Sequence, residues 1–206
     1  MQLDFQNFKK LKNSYKNYIK VMFFLLINKD RIKVVLRNGK ILYWNNLQVR
    51  NYVVAFNLKY SNDAKVEFYP ELDKMTFNYQ GKGFTFYGFL EDGWIYHEFV
   101  NFEYNQLNFK DKTVLDIGAN SGATSIFFVL GGAKYVIAIE PMPKTYSILE
   151  KNIEVNNLAE KIMSLNFGVG KHSNVNLSED VSGQGPYIKS VIQKTGKTVE
   201  IKSLSL

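Results

Sequence analysis

The chain has 206 residues, is 46% hydrophobic and carries a formal net charge of +7 at pH 7. That is enough apolar material for a sizeable core in one or two domains. It holds no Cys, which excludes disulfides and thiolate metal sites, and its two His, His97 and His172, stand far apart, so no metal site is expected.

The positive charge admits an anionic partner: nucleic acid, an acidic glycan or a membrane surface. Lys is spread along the whole chain, however, and Arg is confined to Arg31, Arg37 and Arg50. Phosphate recognition favours Arg, so a Lys-rich solvated surface is the plainer reading.

Residues 1–30 read as helix. The apolar run 21–27 within them is far shorter than the roughly 20 residues that span a bilayer, so no transmembrane segment is expected. It follows Lys-rich sequence from Lys9 to Lys20. A helix packed on the domain is the favoured reading, and a basic membrane-surface helix is the alternative. Nothing after Ile27 resembles a small-residue cleavage site, so no signal peptide is read and a cytoplasmic location is expected.

Residues 31–98 read as β-rich. Strands at 32–36 and 40–44 flank Asn38-Gly39, a pair that suits a type I′ hairpin turn. Further strands are expected at 53–58, 66–69, 75–79, 84–89 and 94–99, with Asn62-Asp63, Gly81-Lys82-Gly83 and Asp92-Gly93 between some of them. Sixteen Phe and thirteen Tyr suit such an aromatic-rich β part. Gly81-Lys82-Gly83 lacks the spaced first Gly and the Lys-Ser/Thr pair of a phosphate loop, so it is a turn. His97 and Glu98 are neighbours in a strand and point to opposite faces, which favours a structural role over an acid/base pair. Asn176-Leu177-Ser178 matches a glycosylation acceptor by chance. There is no internal repeat or low-complexity linker. The division expected is 1–98, a helix plus β-rich region, and 99–206, an α/β domain on which it packs directly.

The α/β half is the most informative. Residues 114–122 read Val-Leu-Asp-Ile-Gly-Ala-Asn-Ser-Gly, followed by a helix-like stretch at 123–130. A strand, a tight glycine turn and a helix N-terminus form a nucleotide-type binding site. A dinucleotide turn is G-x-G-x-x-G with pyrophosphate on its N–H groups. Here the pattern is D-x-G-x-x-x-G. A carboxylate at Asp116 repels pyrophosphate but pairs well with an ammonium group, such as that of S-adenosylmethionine, which carries no phosphate. Residues 135–139, Tyr-Val-Ile-Ala-Ile, form a buried parallel strand ending at Glu140. An acidic residue there is placed to accept hydrogen bonds from both ribose hydroxyls. Met142 and Pro143, after Pro141, pack either beside the adenine or on the domain alone. A third strand, 162–165, ends at Asn166, whose side chain could meet the adenine edge. Between them Thr145 to Asn156 forms a helix with Tyr146, Leu149 and Ile153 on its core face and Asn156-Asn157 at its end.

These residues resemble a known family. Val114 to Gly122, Ile139-Glu140-Pro141 and the run from Asn152 to Asn157 are similar to the class I S-adenosylmethionine-dependent methyltransferases, and within them most similar to the FkbM-type O-methyltransferases. The resemblance covers roughly residues 95–206. It implies a Rossmann-like α/β core in which Asp116 holds the methionine ammonium, Gly118 and Ala119, with Asn120 and Gly122 in the same turn, approach the methionine, and Glu140 holds the ribose. Related enzymes often fold the segment before the first strand over the methionine end, which makes Tyr104, beside Glu103, a further candidate. The family pattern continues with a fourth strand of Asp-x-Glu-Gly type that has no counterpart here. The resemblance therefore implies a partial core, with the C-terminal half missing and a sheet edge that an oligomer or partner would cover. No general base is assigned.

The leading expectation is S-adenosylmethionine-dependent methylation of an oxygen on a sugar, glycolipid or small metabolite. An RNA methyltransferase with the same cofactor half, which the basic charge fits, is the alternative. A non-catalytic, partner-dependent binding module is the third.

Overall fold

The computed structural model describes residues 5–58, 66–79, 81–91, 104, 106–170, 174–178 and 198–204. The expected strand at 94–99, His97-Glu98, Glu103, His172, Asn62-Asp63 and Asp92-Gly93 lie outside the described residues.

Two helices open the chain, α1 (Phe5–Ser14) and α2 (Tyr18–Leu26). They break where the backbone turns to meet a strand. Lys16 N–H donates to the Val35 carbonyl at 2.7 Å, and the Asn17 side chain bonds the strand on both sides, accepting from Val35 N–H and donating to the Lys33 carbonyl, each at 2.8 Å. That strand, β1 (Ile32–Val35), pairs antiparallel with β2 (Ile41–Trp44).

The hairpin stands but its turn is not type I′. Gly39 N–H closes on the Leu36 carbonyl at 2.9 Å, and only Gly39 is left-handed, at φ 91°. Type I′ needs positive φ at both central residues. Asn38 stays out of that region and accepts from Lys40 N–H instead, at 3.0 Å.

A larger correction concerns residues 53–58, read as a strand. They are the second half of α3 (Asn46–Leu58). Asn45 Oδ1 accepts from Gln48 N–H at 2.9 Å and Gln48 Oε1 from Asn45 N–H at 3.2 Å, a reciprocal cap that starts a helix. Val49, Tyr52 and Val53 then fall on one buried face at helical spacing. The β-branched run Val53-Val54 was outweighed by this cap and by burial.

The meander β3 (Glu67–Tyr69), β4 (Lys74–Tyr79) and β5 (Lys82–Tyr87) follows, with a single 3-10 turn, Pro70–Leu72, after β3. Gly81, at φ 80°, lies in the β4–β5 turn, whereas Lys82 and Gly83, read as part of that turn, begin β5 and pair with Tyr79 and Asn78.

The α/β unit runs β6 (Thr113–Ile117), α4 (Ala123–Leu130), β7 (Tyr135–Ile139), α5 (Pro143–Val155) and β8 (Ile162–Leu165). Its strands are parallel in the order β6-β7-β8, with Asp116 beside Ala138 and Ile117 beside Ile139. This is a Rossmann-like β-α-β-α-β arrangement within a mixed α/β chain. Val136, Ala138 and Ile162 are buried under the helices, whereas Leu115, Ile117 and Met163 on the other face are exposed. Among the described residues β6 is an edge of this sheet. A second small sheet follows. β11 (Thr198–Leu204) pairs antiparallel with β10 (Asn174–Ser178) and parallel with β9 (Gly168–Val169), rather than beside β6.

The meander meets the α/β unit along β5. Asn156 bonds Thr85, accepting from its N–H at 3.0 Å and donating to its carbonyl at 2.7 Å. Asn152 does the same to Tyr87, at 2.7 and 3.1 Å. Two amides one helical turn apart thus stand in for a missing strand and close an otherwise open edge. Gly88, at φ 84°, lets the chain pass Ile148 where a Cβ would come within 2.9 Å.

Candidate functional site

The site is built where β6 and β7 end. Between β6 and α4 the chain makes a five-residue turn in which Gly118 (φ 83°), Asn120 (φ 50°) and Gly122 (φ 89°) are all left-handed. Glycine is needed at both ends for that reason. At Gly122 there is a second reason: a Cβ would meet Leu149 Cδ1 at 2.5 Å, because α5 packs directly on the turn. At Gly118 a Cβ would meet nothing within 4 Å, so the turn borders open space on that side.

The turn's amides face the protein. Gly118 and Ala119 N–H both donate to the Ile139 carbonyl, at 2.8 and 3.0 Å. Asn120 N–H donates to Glu140 Oε2 at 3.0 Å. In a pyrophosphate cradle these donors would point at the ligand. Their commitment to the end of β7 removes that function and agrees with the reading of Asp116 against a phosphate.

Two carboxylates border the turn. Asp116 Oδ2 accepts from Ser125 Oγ of α4 at 2.5 Å. Its pKa is raised, chiefly by burial, and the Ser125 hydroxyl opposes the rise. Glu140 is 2% exposed and holds two backbone amides, Asn120 N–H on Oε2 and Met142 N–H on Oε1 at 2.8 Å. Burial raises its pKa, those two amides lower it, and the neighbouring charge of Asp116 raises it again. Neither carboxylate has a cationic partner among the described residues. A half-buried and a buried acid that feel each other without a counter-ion favour a positively charged guest.

The other predicted residues take supporting places. Ala119 and Met142 are buried, and Met142 immediately precedes α5. Pro141 accepts through its carbonyl from Asn166 Nδ2 at 3.0 Å, and Asn166 Nδ2 also reaches the Glu140 carbonyl at 2.8 Å. The Asn166 amide nitrogen therefore braces the loop that aims Glu140. Tyr104 lays its ring against Phe128 of α4 at 5.3 Å between centroids, so packing accounts for its position.

Two further residues join the site: Ser125, which the sequence reading does not name, and Asn152, which it names only within the family-like run 152–157. Ser125 orients Asp116. Asn152 donates to the Ser121 carbonyl at 2.8 Å, tying the turn to α5 and through α5 to β5. A sequence signal existed for Asn152: it lies beside Ile153 on the apolar stripe of α5, and it is fully buried. Among the described residues no group of His, Asp or Glu could hold a metal ion. No helix among them is long and apolar enough to cross a membrane.

No protein-family model matches the chain. It is 39% identical over 77 residues to the histone-arginine methyltransferase CARMER of Drosophila ananassae, and equally to that of Drosophila virilis, a match covering 37% of this chain and 14% of each relative. The chain thus spans about one seventh of the length of the curated relatives it matches. Among solved structures, PRMT6 with SAH is similar at 30% identity over 29% of this chain and 17% of that one, at a TM-score of 0.28. TYW2 of P. horikoshii in complex with MeSAdo is similar at 16% identity over 75% of this chain and 48% of that one, at a TM-score of 0.37.

Proposed function

We propose that this chain is a methyltransferase that binds S-adenosylmethionine at the β6–β7 end of its parallel sheet. The observation that carries the reading is the pair Asp116 and Glu140: one half-buried and one buried carboxylate at neighbouring strand ends, beside a glycine turn whose Gly118, Ala119 and Asn120 amides are turned away from the ligand space. The 77-residue similarity to arginine methyltransferases supports it.

In this reading Asp116 pairs with the methionine ammonium and Glu140 accepts from the ribose hydroxyls. Gly118, Ala119, Asn120 and Gly122 line the methionine end, and Pro141 and Met142 with Asn166 lie toward adenine. The bound cofactor supplies an activated methyl group on sulfur. The chain's own residues bind it, orient it and keep water away. We infer an oxygen of a sugar, glycolipid or small metabolite as acceptor. What supports this is the resemblance of residues 114–122, 139–141 and 152–157 to FkbM-type enzymes. An RNA acceptor is the second reading, favoured by the net charge of +7. We place the activity in the cytoplasm, with a partner or a second copy covering the β6 edge.

Calorimetric titration of S-adenosylmethionine into this chain and into an Asp116→Ala variant tests the reading. Wild-type binding weakened about 100-fold in the variant is the expected result. Affinity also falls on acidification through the raised carboxylate pKa values, because protonated Asp116 cannot pair with an ammonium. A well-folded wild type that does not bind would overturn it.

A further inference from the structure

Charge is distributed very unevenly along this chain. Residues 1–44 hold ten Lys and Arg against two Asp, a net +8, whereas the remaining 162 residues hold 16 basic and 17 acidic side chains. The whole positive excess thus belongs to α1, α2 and the β1–β2 hairpin. All ten basic side chains there are exposed. Lys40 pairs with Glu71 at 2.9 Å.

The same segment exposes an apolar stripe. In α2, Val21 and Leu25 are buried against the core, while Ile19, Phe23, Leu26 and Ile27 are between 53% and 60% exposed. Their spacing of four, three and one residues places them on one helical face. Lys20 lies one turn before Phe23, and Lys16 lies just ahead of the helix. At its C-terminal end Lys29 Nζ sits 4.4 Å from the centroid of the Phe24 ring. On β2, Tyr43 is exposed, and Arg31 covers its ring at 4.9 Å.

We propose that α2 and its basic surround dock this protein flat on an anionic lipid surface. Aliphatic and aromatic side chains on one helical face, bordered by Lys whose long stems carry their charge to the headgroups, match that interface in both components. The alternatives fit less well. RNA is held by Arg and by stacking aromatics, and this stripe is mostly Ile and Leu. A second copy would bring two +8 surfaces together, which like-charge repulsion opposes. The nine residues of α2 are too short to span a bilayer, so docking is peripheral. The proposal is independent of the cofactor reading.

Flotation of the full chain with vesicles tests it, using phosphatidylcholine alone and phosphatidylcholine mixed with phosphatidylglycerol. Binding is expected to the mixed vesicles only, and to weaken as salt rises. A Phe23→Ser, Leu26→Ser pair should lower partitioning on the order of tenfold. Lys16→Glu with Lys20→Glu should lower it by more than about tenfold. Lys134→Glu with Lys161→Glu, the same charge change on the α/β unit, should leave it near the wild-type value. All these positions are exposed or lie outside the core, and thermal melting checks that each variant folds. Three outcomes would overturn the proposal: no binding to the mixed vesicles, equal loss in both charge variants, or a dimer in light scattering that Phe23→Ser dissolves. Retention on homopolymer RNA without vesicle binding would assign the surface to nucleic acid instead.

Discussion

In residues 5–91 the interior is a chain of aromatic rings. Tyr15, Trp44 and Tyr52 touch one another, Tyr52 stacks on Phe56, and Phe68, Phe89, Phe77, Phe84 and Phe86 continue the contacts through the meander. In residues 106–170 the sheet core is mostly aliphatic, but Ser121, Ser125, Glu140 and Asn152 are buried among it. The first region gains stability by removing ring surface from water. The second keeps polar groups inside, which is unfavourable unless each is hydrogen-bonded. Each of the last three is bonded, and their bonds converge on the turn between β6 and α4. Polar burial concentrated at one place, with three left-handed residues beside it, is what a binding site looks like before any ligand is considered.

The largest effect that would sharpen this contrast is Phe86→Ala. Phe86 is fully buried, so the change should cost about 3–5 kcal/mol. Denaturant unfolding would show it, with cofactor affinity of the remaining folded protein unchanged. Lost affinity at equal folded fraction would mean that the two regions are not separable.

Asn152→Ala comes next, at about 2–4 kcal/mol, because it removes the bonds to both Tyr87 backbone groups and to the Ser121 carbonyl. Asn156→Ala removes the matching bonds to Thr85 but does not touch the turn, and should cost about 1–2 kcal/mol. Calorimetry separates the pair: cofactor affinity should fall in the first variant only. Equal affinities would make Asn152 a strap and nothing more.

Gly122→Ala should cost about 1–3 kcal/mol through the left-handed backbone and the approach to Leu149. A melting temperature unchanged within error would show that α5 does not press on the turn.

The smallest effect concerns Asp73, whose pKa is raised to about 6, chiefly by burial. The native state holds its proton more tightly than the unfolded chain, so its contribution to stability is present at acidic pH and is lost as pH rises through about 6. Asp73→Asn keeps the acceptor for Leu90 N–H and suits the left-handed φ of 46°. At this half-buried position the variant should gain on the order of 1 kcal/mol at pH 7 and nothing at pH 4. A gain at both pH values would assign the effect to something other than the charge.

Much of the α/β unit was legible because its signals are local. The strand run at 135–139, the left-handed glycines and Asn157, also left-handed at φ 57° at the end of α5, each follow from residues adjacent in sequence. Residues 53–58 were misread because Val53 and Val54 favour strand by propensity, while the cap at Asn45 and Gln48 decides for helix. The Asn38-Gly39 turn was misread for a similar reason: the dipeptide permits type I′, but the bond from Lys40 N–H to Asn38 Oδ1 selects another turn. Asn166 was assigned toward a ligand, and its amide nitrogen is used by two carbonyls that only the folded loop brings near.

By itself the sequence determined the order of strands and helices from 113 to 165, the need for glycine at 118 and 122, and the acidic residues at two strand ends. These depend on backbone sterics and on hydrophobic periodicity, which act within a few residues. Only the tertiary structure decided that the turn's amides face Ile139 and Glu140, that Ser125 holds Asp116, and that Asn152 joins β5 to the turn across 65 residues of sequence. Hydrogen bonds between distant segments depend on which surfaces pack, and packing is a property of the whole core.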